Sequence, residues 1–242
     1  MNREYHKWFS QNLQRDMELL IFGHGGSPVL LFPTRMARFY DYENWGIIAA
    51  LSPKIESGTI QVFCVDSIDR ESFYNDDVFP SVRIERHLQY EQYLLGEVIP
   101  LIQQKNSNAE MATAGFSMGA YHAVNLALKY PALFNKTVGI SGRYDLTHTP
   151  GHYKDLLNGF HNEKVYFNMP TQYLANLNDS LLLNQLKQME IILAVGETDP
   201  FLPENHQLSA LLWEKGIRNE CHTGESDAHR PYFWRKMAPV YI

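Results

Sequence analysis

Cysteine is scarce, with two in 242 residues, and that excludes a disulfide framework. Cys64 and Cys221 each fall in an apolar or alternating run, so two free, buried thiols in a reducing compartment are expected. Long apolar runs are missing too: no stretch approaches the roughly 20 residues a bilayer span requires. The opening residues, Met1-Asn2-Arg3-Glu4-Tyr5-His6-Lys7, have no apolar signal-peptide core. A soluble, cytoplasmic protein with no membrane partner is the expectation. Lys and Arg number 21 against 27 Asp and Glu, a net charge of −6. Both signs are interspersed, and without a basic stripe no nucleic-acid partner is expected. There is no G-x-x-x-x-G-K-[ST] phosphate loop, no repeat and no Pro/Gly/Ser linker. His148 and His152 have a chelating spacing, but Thr149-Pro150-Gly151 between them opposes a helix, so neither a metal nor another cofactor is expected. Nothing in the chain bears on oligomeric state.

What remains is an ordinary globular composition, 45% hydrophobic and 20% charged, long enough for one domain over 1–242 with a full core. Strands and helices alternate. Residues 16–22 read as a strand, Gly23-His24-Gly25-Gly26 as a tight hairpin turn, and residues 28–32 as the returning strand. A helix with Ile47, Ile48 and Leu51 on one face follows, then a strand at 61–66. Residues 81–104 carry apolar positions at helical spacing, Ile84, Leu88, Leu95, Val98 and Ile99. Further strands are expected at 110–116, 137–140, 190–195 and 219–223. Helices are expected at 118–130, closed by Pro131, and at 208–215, stopped by Gly216, and the segment from Tyr232 to Pro239 is expected to begin a closing helix. This rhythm predicts an α/β fold: a mostly parallel sheet, flanked by helices, with one antiparallel edge. Residues 145–189 are irregular and too long for a plain connection. They are expected to form a short insertion after the sixth strand, over the sheet's carboxyl end, where such folds bind ligands.

Gly115-Phe116-Ser117-Met118-Gly119 matches G-x-S-x-G between an expected strand and an expected helix of small residues. That setting suits a nucleophile. A sharp strand-to-helix turn lifts the serine oxygen out of the sheet, flanking glycines remove clashes, and the positive helix end lies beneath developing charge. Chance would place such glycines around one of about a dozen serines in roughly 6% of chains this long. A serine hydroxyl also needs a general base, for which imidazole is the usual choice. Ten histidines are available. His229 lies in the loop after the last expected strand, at the edge where Ser117 emerges. Three carboxylates compete to orient it: Asp199 and Glu197 in the turn after the strand at 190–195, and Asp145 after the strand before.

The chain resembles the α/β-hydrolase superfamily, in the branch of small esterases related to esterase D, tributyrin esterases and mycolyltransferases. The resemblance runs nearly end to end and rests on Gly115-Phe116-Ser117-Met118-Gly119-Ala120, on Gly196-Glu197-Thr198-Asp199-Pro200, and on Ala228-His229. It implies a chain order of nucleophile, acid, base, hence Ser117, Asp199 and His229. His6, His24 and His87 precede the nucleophile, while His148, His152 and His161 precede the expected acid. His122 lies one turn down the helix, His222 mid-strand and His206 beside a helix.

The resemblance also implies an oxyanion hole built from two backbone N–H groups. One belongs to Met118. The other comes from the loop after residues 28–32, where Arg35 takes the donor position although the family's glycine is absent there. His24-Gly25-Gly26 is similar to a lipase oxyanion motif but precedes that strand instead of following it. Aromatic residues of neighbouring loops, Phe39, Tyr40, Tyr74, Tyr166 and Phe167, are expected to line a pocket for an acyl or aryl group. The expected activity is hydrolysis of small-molecule carboxylic esters or thioesters. An acyltransferase with the same three side chains and a non-catalytic binding module on the same fold are the alternatives.

Overall fold

The computed structural model describes residues 1–224 and 229–242. Eight strands form one sheet: β1 (Arg3–Ser10), β2 (Arg15–Phe22), β3 (Ser27–Phe32), β4 (Ile60–Val65), β5 (Ala112–Phe116), β6 (Lys136–Ile140), β7 (Glu190–Gly196) and β8 (Glu220–Gly224). Their order is β1-β2-β4-β3-β5-β6-β7-β8. From β4 to β8 every neighbouring pair is parallel. The helices are α1 (Asp41–Asn44), α2 (Ile47–Glu56), α3 (Pro80–Tyr93), α4 (Ile99–Lys105), α5 (Met118–Lys129), α6 (Glu163–Tyr166), α7 (Pro170–Tyr173), α8 (Ser180–Leu186), α9 (Leu202–Glu214) and α10 (Pro231–Tyr241). This is the α/β-hydrolase architecture.

Residue character explains the strand order. β3, β4, β5 and β7 are nearly continuous apolar runs, buried along their lengths, as strands covered on both faces must be. β1 instead alternates between exposed and half-buried positions, and β8 is mostly polar. These two occupy the edges, where charged and polar side chains discourage pairing with another chain. Alternate residues of one strand feed opposite faces. Leu30 and Phe32 join the core beneath α3, α4, α5 and α9, whereas Val29 and Leu31 join the core beneath α2 and α10.

Residues 16–22 and 28–32 are strands as expected, but the hairpin between them is not formed. β2 pairs antiparallel with β1 and with β4, and β3 lies beyond β4. The antiparallel edge belongs to β1, which the sequence reading missed because its inward positions, Glu4, His6, Trp8 and Ser10, include one apolar residue. Gly26 (φ +86°) still needs to be glycine: a Cβ there would stand 2.3 Å from the carbonyl oxygens of Gly58 and Thr59. His24-Gly25-Gly26 thus sits at the amino end of β3, opposite the end that Ser117 occupies.

The long helix expected at 81–104 is α3 and α4 joined by one π turn, Leu94–Val98. Glu97 in that turn accepts hydrogen bonds from Trp8 Nε1, Ser10 Oγ and Asn12, fastening the β1–β2 hairpin. Between β6 and β7 the chain runs through a long connection, residues 141–189, that holds the short helices α6, α7 and α8. Its Leu146, Leu156, Leu157, Val165 and Met169 bury against Phe73, Met118 and Tyr121, which seats it over the first turn of α5. No helix among the described residues is long and apolar enough to cross a membrane.

His87 on α3 is 4% exposed, with its ring 4.7 Å from Phe73 and Nε2 3.2 Å from Asn168 Oδ1. Burial, reinforced by His122 and Lys129, pushes its pKa well below 6.5. The unfolded chain therefore takes up a proton that the fold refuses. Stability is complete above about pH 6.5 and falls as pH drops through that value, by up to about 1.4 kcal/mol per pH unit for this one group. His87→Phe is expected to flatten the decline between pH 7 and pH 5 by about one proton's worth, read from urea unfolding midpoints.

Candidate active site

At the end of β5 the chain turns sharply at Ser117, with φ 55° and ψ −119°, and enters α5. A non-glycine residue in this region costs on the order of 1–3 kcal/mol. The strain is held by close packing on both sides. A Cβ on Gly115 would meet Gly119 O at 2.2 Å, and one on Gly119 would meet Phe32 O at 2.3 Å. Ser117 N–H donates to Ile140 O at 2.9 Å, tying the turn to β6. The small residues of α5 serve the same end, because the helix is buried from Met118 to Leu128.

Asp199 lies in the turn after β7. Its N–H donates to Gly196 O at 3.1 Å, and its Oδ1 accepts from Phe201 N at 2.9 Å. His229 precedes α10 and bridges the two: Nε2 stands 3.0 Å from Ser117 Oγ, and Nδ1 stands 3.1 Å from Asp199 Oδ2. An ionised carboxylate only accepts, so Nδ1 carries the proton and Nε2 is left to accept from the serine. The ring is wedged among Phe201, Tyr153 and Trp234, at centroid distances of 5.2, 5.7 and 5.7 Å. The three predicted side chains therefore converge from positions 117, 199 and 229. Ala228, which precedes His229 in the quoted motif, lies outside the described residues.

The rival residues are engaged elsewhere. Glu197 is exposed, and Asp145 Oδ1 accepts from the N–H and hydroxyl of Thr147 at 2.8 and 2.6 Å. His148 pairs with Glu204, His222 with Glu220 and His122 with Asp69.

The loop after β3 supplies the other wall. Met36 takes the left-handed conformation, φ 60°, that the missing glycine would have favoured. Its N–H is consumed by Asp69 Oδ2 at 2.9 Å, and Ala37 N–H by Thr34 O at 3.0 Å. Among the described residues, the N–H groups of Arg35 and Met118 have no hydrogen-bond partner. Asp69 is 1% exposed, and its other oxygen lies 3.4 Å from His122 Nε2 on α5. The sequence reading missed this link. Asp69 and His122 are 53 positions apart, and no local pattern marks the pair.

The five expected pocket aromatics divide. Tyr74 stands at the site, its ring 5.9 Å from the Arg35 guanidinium. Tyr40 lines a groove with Arg15, Met36, Arg38 and Asp69, beside the loop. Phe39 is 7% exposed and belongs to the core, packed between Tyr5 and Tyr40. Tyr166 and Phe167 line a different groove, with Leu128, Tyr130 and Leu177 at the far end of α5. Eleven residues of helix separate that end from Ser117, about 16 Å. Tyr153 and Phe201 stand against His229 where those aromatics were expected.

A model of the family described as "Putative esterase" matches residues 10–238. No curated protein matches the chain. Among solved structures, a ferulic acid esterase is 14% identical with a TM-score of 0.78, over 99% of this chain and 95% of that one. An S-formylglutathione hydrolase from Agrobacterium tumefaciens is 16% identical with a TM-score of 0.75, over 98% and 92%. One from Staphylococcus aureus is 17% identical with a TM-score of 0.73, over 99% and 94%. At these identities the likeness is one of fold. With the family match spanning nearly its whole length, the chain belongs to the putative esterase family, as an ester hydrolase on the α/β-hydrolase fold.

Proposed function

We propose that the enzyme cleaves carboxylic esters or thioesters of small molecules through an acyl-enzyme on Ser117. The observation that carries this reading is the unbroken relay from Ser117 Oγ to His229 at 3.0 Å and from His229 to Asp199 at 3.1 Å. Ser117 Oγ attacks the carbonyl carbon while its proton passes to His229 Nε2. Asp199 stays ionised and stabilises the imidazolium. The carbonyl oxygen becomes negative and is met by the N–H groups of Met118 and Arg35, each worth about 3 kcal/mol in the transition state. The intermediate collapses, the bond to the leaving oxygen or sulfur breaks, and His229 returns the proton to the departing alcohol or thiol. A water molecule, deprotonated by His229, then releases the acid and restores Ser117.

A fluorophosphonate probe tests the nucleophile. One adduct per chain, located on Ser117 by peptide mass spectrometry and lost in Ser117→Ala, is the expected result. A folded wild-type protein that takes no label would overturn the reading.

Asp69 is the positioning residue of the oxyanion loop, because it holds Met36 and so presents the adjacent N–H of Arg35. Asp69→Ala is expected to lower kcat about 10- to 100-fold, a fraction of one oxyanion donor, with KM changed less than about twofold. Asp69→Asn keeps an acceptor for Met36 N–H and is expected to restore most of the rate. A purely structural role would move thermal stability in both variants without this split in steady-state kinetics.

A further inference from the structure

Among the described residues, five of the eleven arginines have a carboxylate partner: Arg3 with Glu43, Arg15 and Arg86 with Glu71, Arg38 with Asp66 and Arg83 with Asp76. Two beside the candidate active site do not. Among the described residues neither Arg35 nor Arg143 forms an ion pair. Arg143 is 2% exposed, follows β6, and donates through Nη2 to the carbonyl oxygens of Leu146, His148 and Lys154 at 3.2, 2.9 and 2.5 Å. Its Nε is buried with no hydrogen-bond partner. A buried cation with only neutral partners is costly, and it projects its charge through a medium that screens poorly.

The two cations flank one ring. The Arg35 guanidinium lies 6.0 Å from the Tyr153 centroid and that of Arg143 lies 5.9 Å from it, while the same ring packs edge-on against His229 at 5.7 Å. Burial and the Asp69 carboxylate raise the pKa of the Tyr74 hydroxyl and both arginines oppose that rise, so this phenol is within reach of both cations. On a chain of net charge −6, this local field attracts an anion to the mouth of the site.

We infer that the substrate carries a carboxylate close to its scissile ester, met by the exposed guanidinium of Arg35 and held by the fixed charge of Arg143 beneath Tyr153. The inference rests on the hydrolase reading of Ser117 and adds the substrate class. It concerns the side chain of Arg35, not its backbone N–H.

Two matched pairs of aryl esters test it. In one pair the acyl chain ends in a free carboxylate or in its methyl ester; in the other the carboxylate or methyl ester is on the phenol. In one of the pairs the anionic member is expected to have a kcat/KM at least 10-fold above the neutral member at low ionic strength. That preference should shrink with added sodium chloride, and the responding pair identifies which half of the substrate bears the charge. Arg35→Gln is expected to bring the ratio to near one and Arg35→Lys to retain part of it. The ratio is insensitive to any shared loss of rate from a shifted oxyanion loop. Hydrolysis of the neutral esters with Ser117 labelled, but no anionic preference in either pair, would overturn this inference and leave the hydrolase reading standing. So would a preference that Arg35→Gln leaves intact. No hydrolysis of any of the four, with no labelling, removes both.

Discussion

Ser117→Ala is expected to lower kcat on a neutral 4-nitrophenyl ester by about 10⁵-fold or more, the largest effect of any single substitution in this chain. The variant keeps the two N–H donors and the pocket, so a residual acceleration of roughly 10³ over the uncatalysed reaction should remain. Its fold should survive, since alanine bears the same positive φ strain as serine and only one oxygen is lost. A melting temperature within a few degrees of the parent checks that. His229→Ala is expected to fall nearly as far, and Ser117→Ala combined with His229→Ala no further than Ser117→Ala alone. Side chains that act as one unit lose their effect together. If the two single effects added in the double variant, the relay would be two independent contributions, and the acyl-enzyme scheme would have to be given up.

The parts legible in the sequence are those whose physical cause is local. The nucleophile turn is fixed by five consecutive residues, and Gly115 and Gly119 are obligatory because their Cβ positions are filled by backbone oxygens. The buried parallel strands declare themselves as short apolar runs. Asp199 was legible from its place after such a strand, although sequence alone left Glu197 and Asp145 open. β1 was not legible, because its burial alternates regularly but the inward face it presents, Glu4, His6, Trp8 and Ser10, is mostly polar. The strand order was misread for a related reason: a Gly-rich turn between two strands looks the same whether they pair or, as β2 and β3 do, straddle a third strand.

The pocket was the least legible part, and the cause is geometric. Which aromatics of residues 141–189 face Ser117 depends on how that connection folds back over α5. Tyr166 and Phe167 follow its short helices to the far end of α5, while Tyr153 comes back to His229. Arg143 does much to set that path, since the carbonyls it gathers, at 146, 148 and 154, close the segment that carries Tyr153. One buried cation thereby shapes the loop and charges the site, and neither role leaves a mark in the residue pattern.

Asp199→Asn is the second large effect expected, a fall in kcat of about 10⁴ with KM little changed. The substitution is nearly isosteric. Oδ1 can still accept from Phe201 N–H, so the turn after β7 should keep its shape and the protein its melting temperature. What changes is the partner offered to His229. An amide placing its NH2 group toward Nδ1 selects the tautomer with the proton on Nε2, which can no longer accept from Ser117 Oγ. Turned the other way, it restores the tautomer but supplies no charge to stabilise the imidazolium. Either state leaves the base defective, and burial of the acid, whose side chain is 0% exposed, prevents water from taking over. Glu197→Gln and Asp145→Asn serve as the comparison, each expected within about threefold of the parent because neither carboxylate reaches the imidazole. Should Asp199→Asn retain more than a tenth of the activity while one of those two collapses, the acid would be reassigned. The bond at 3.1 Å would then be a resting contact only.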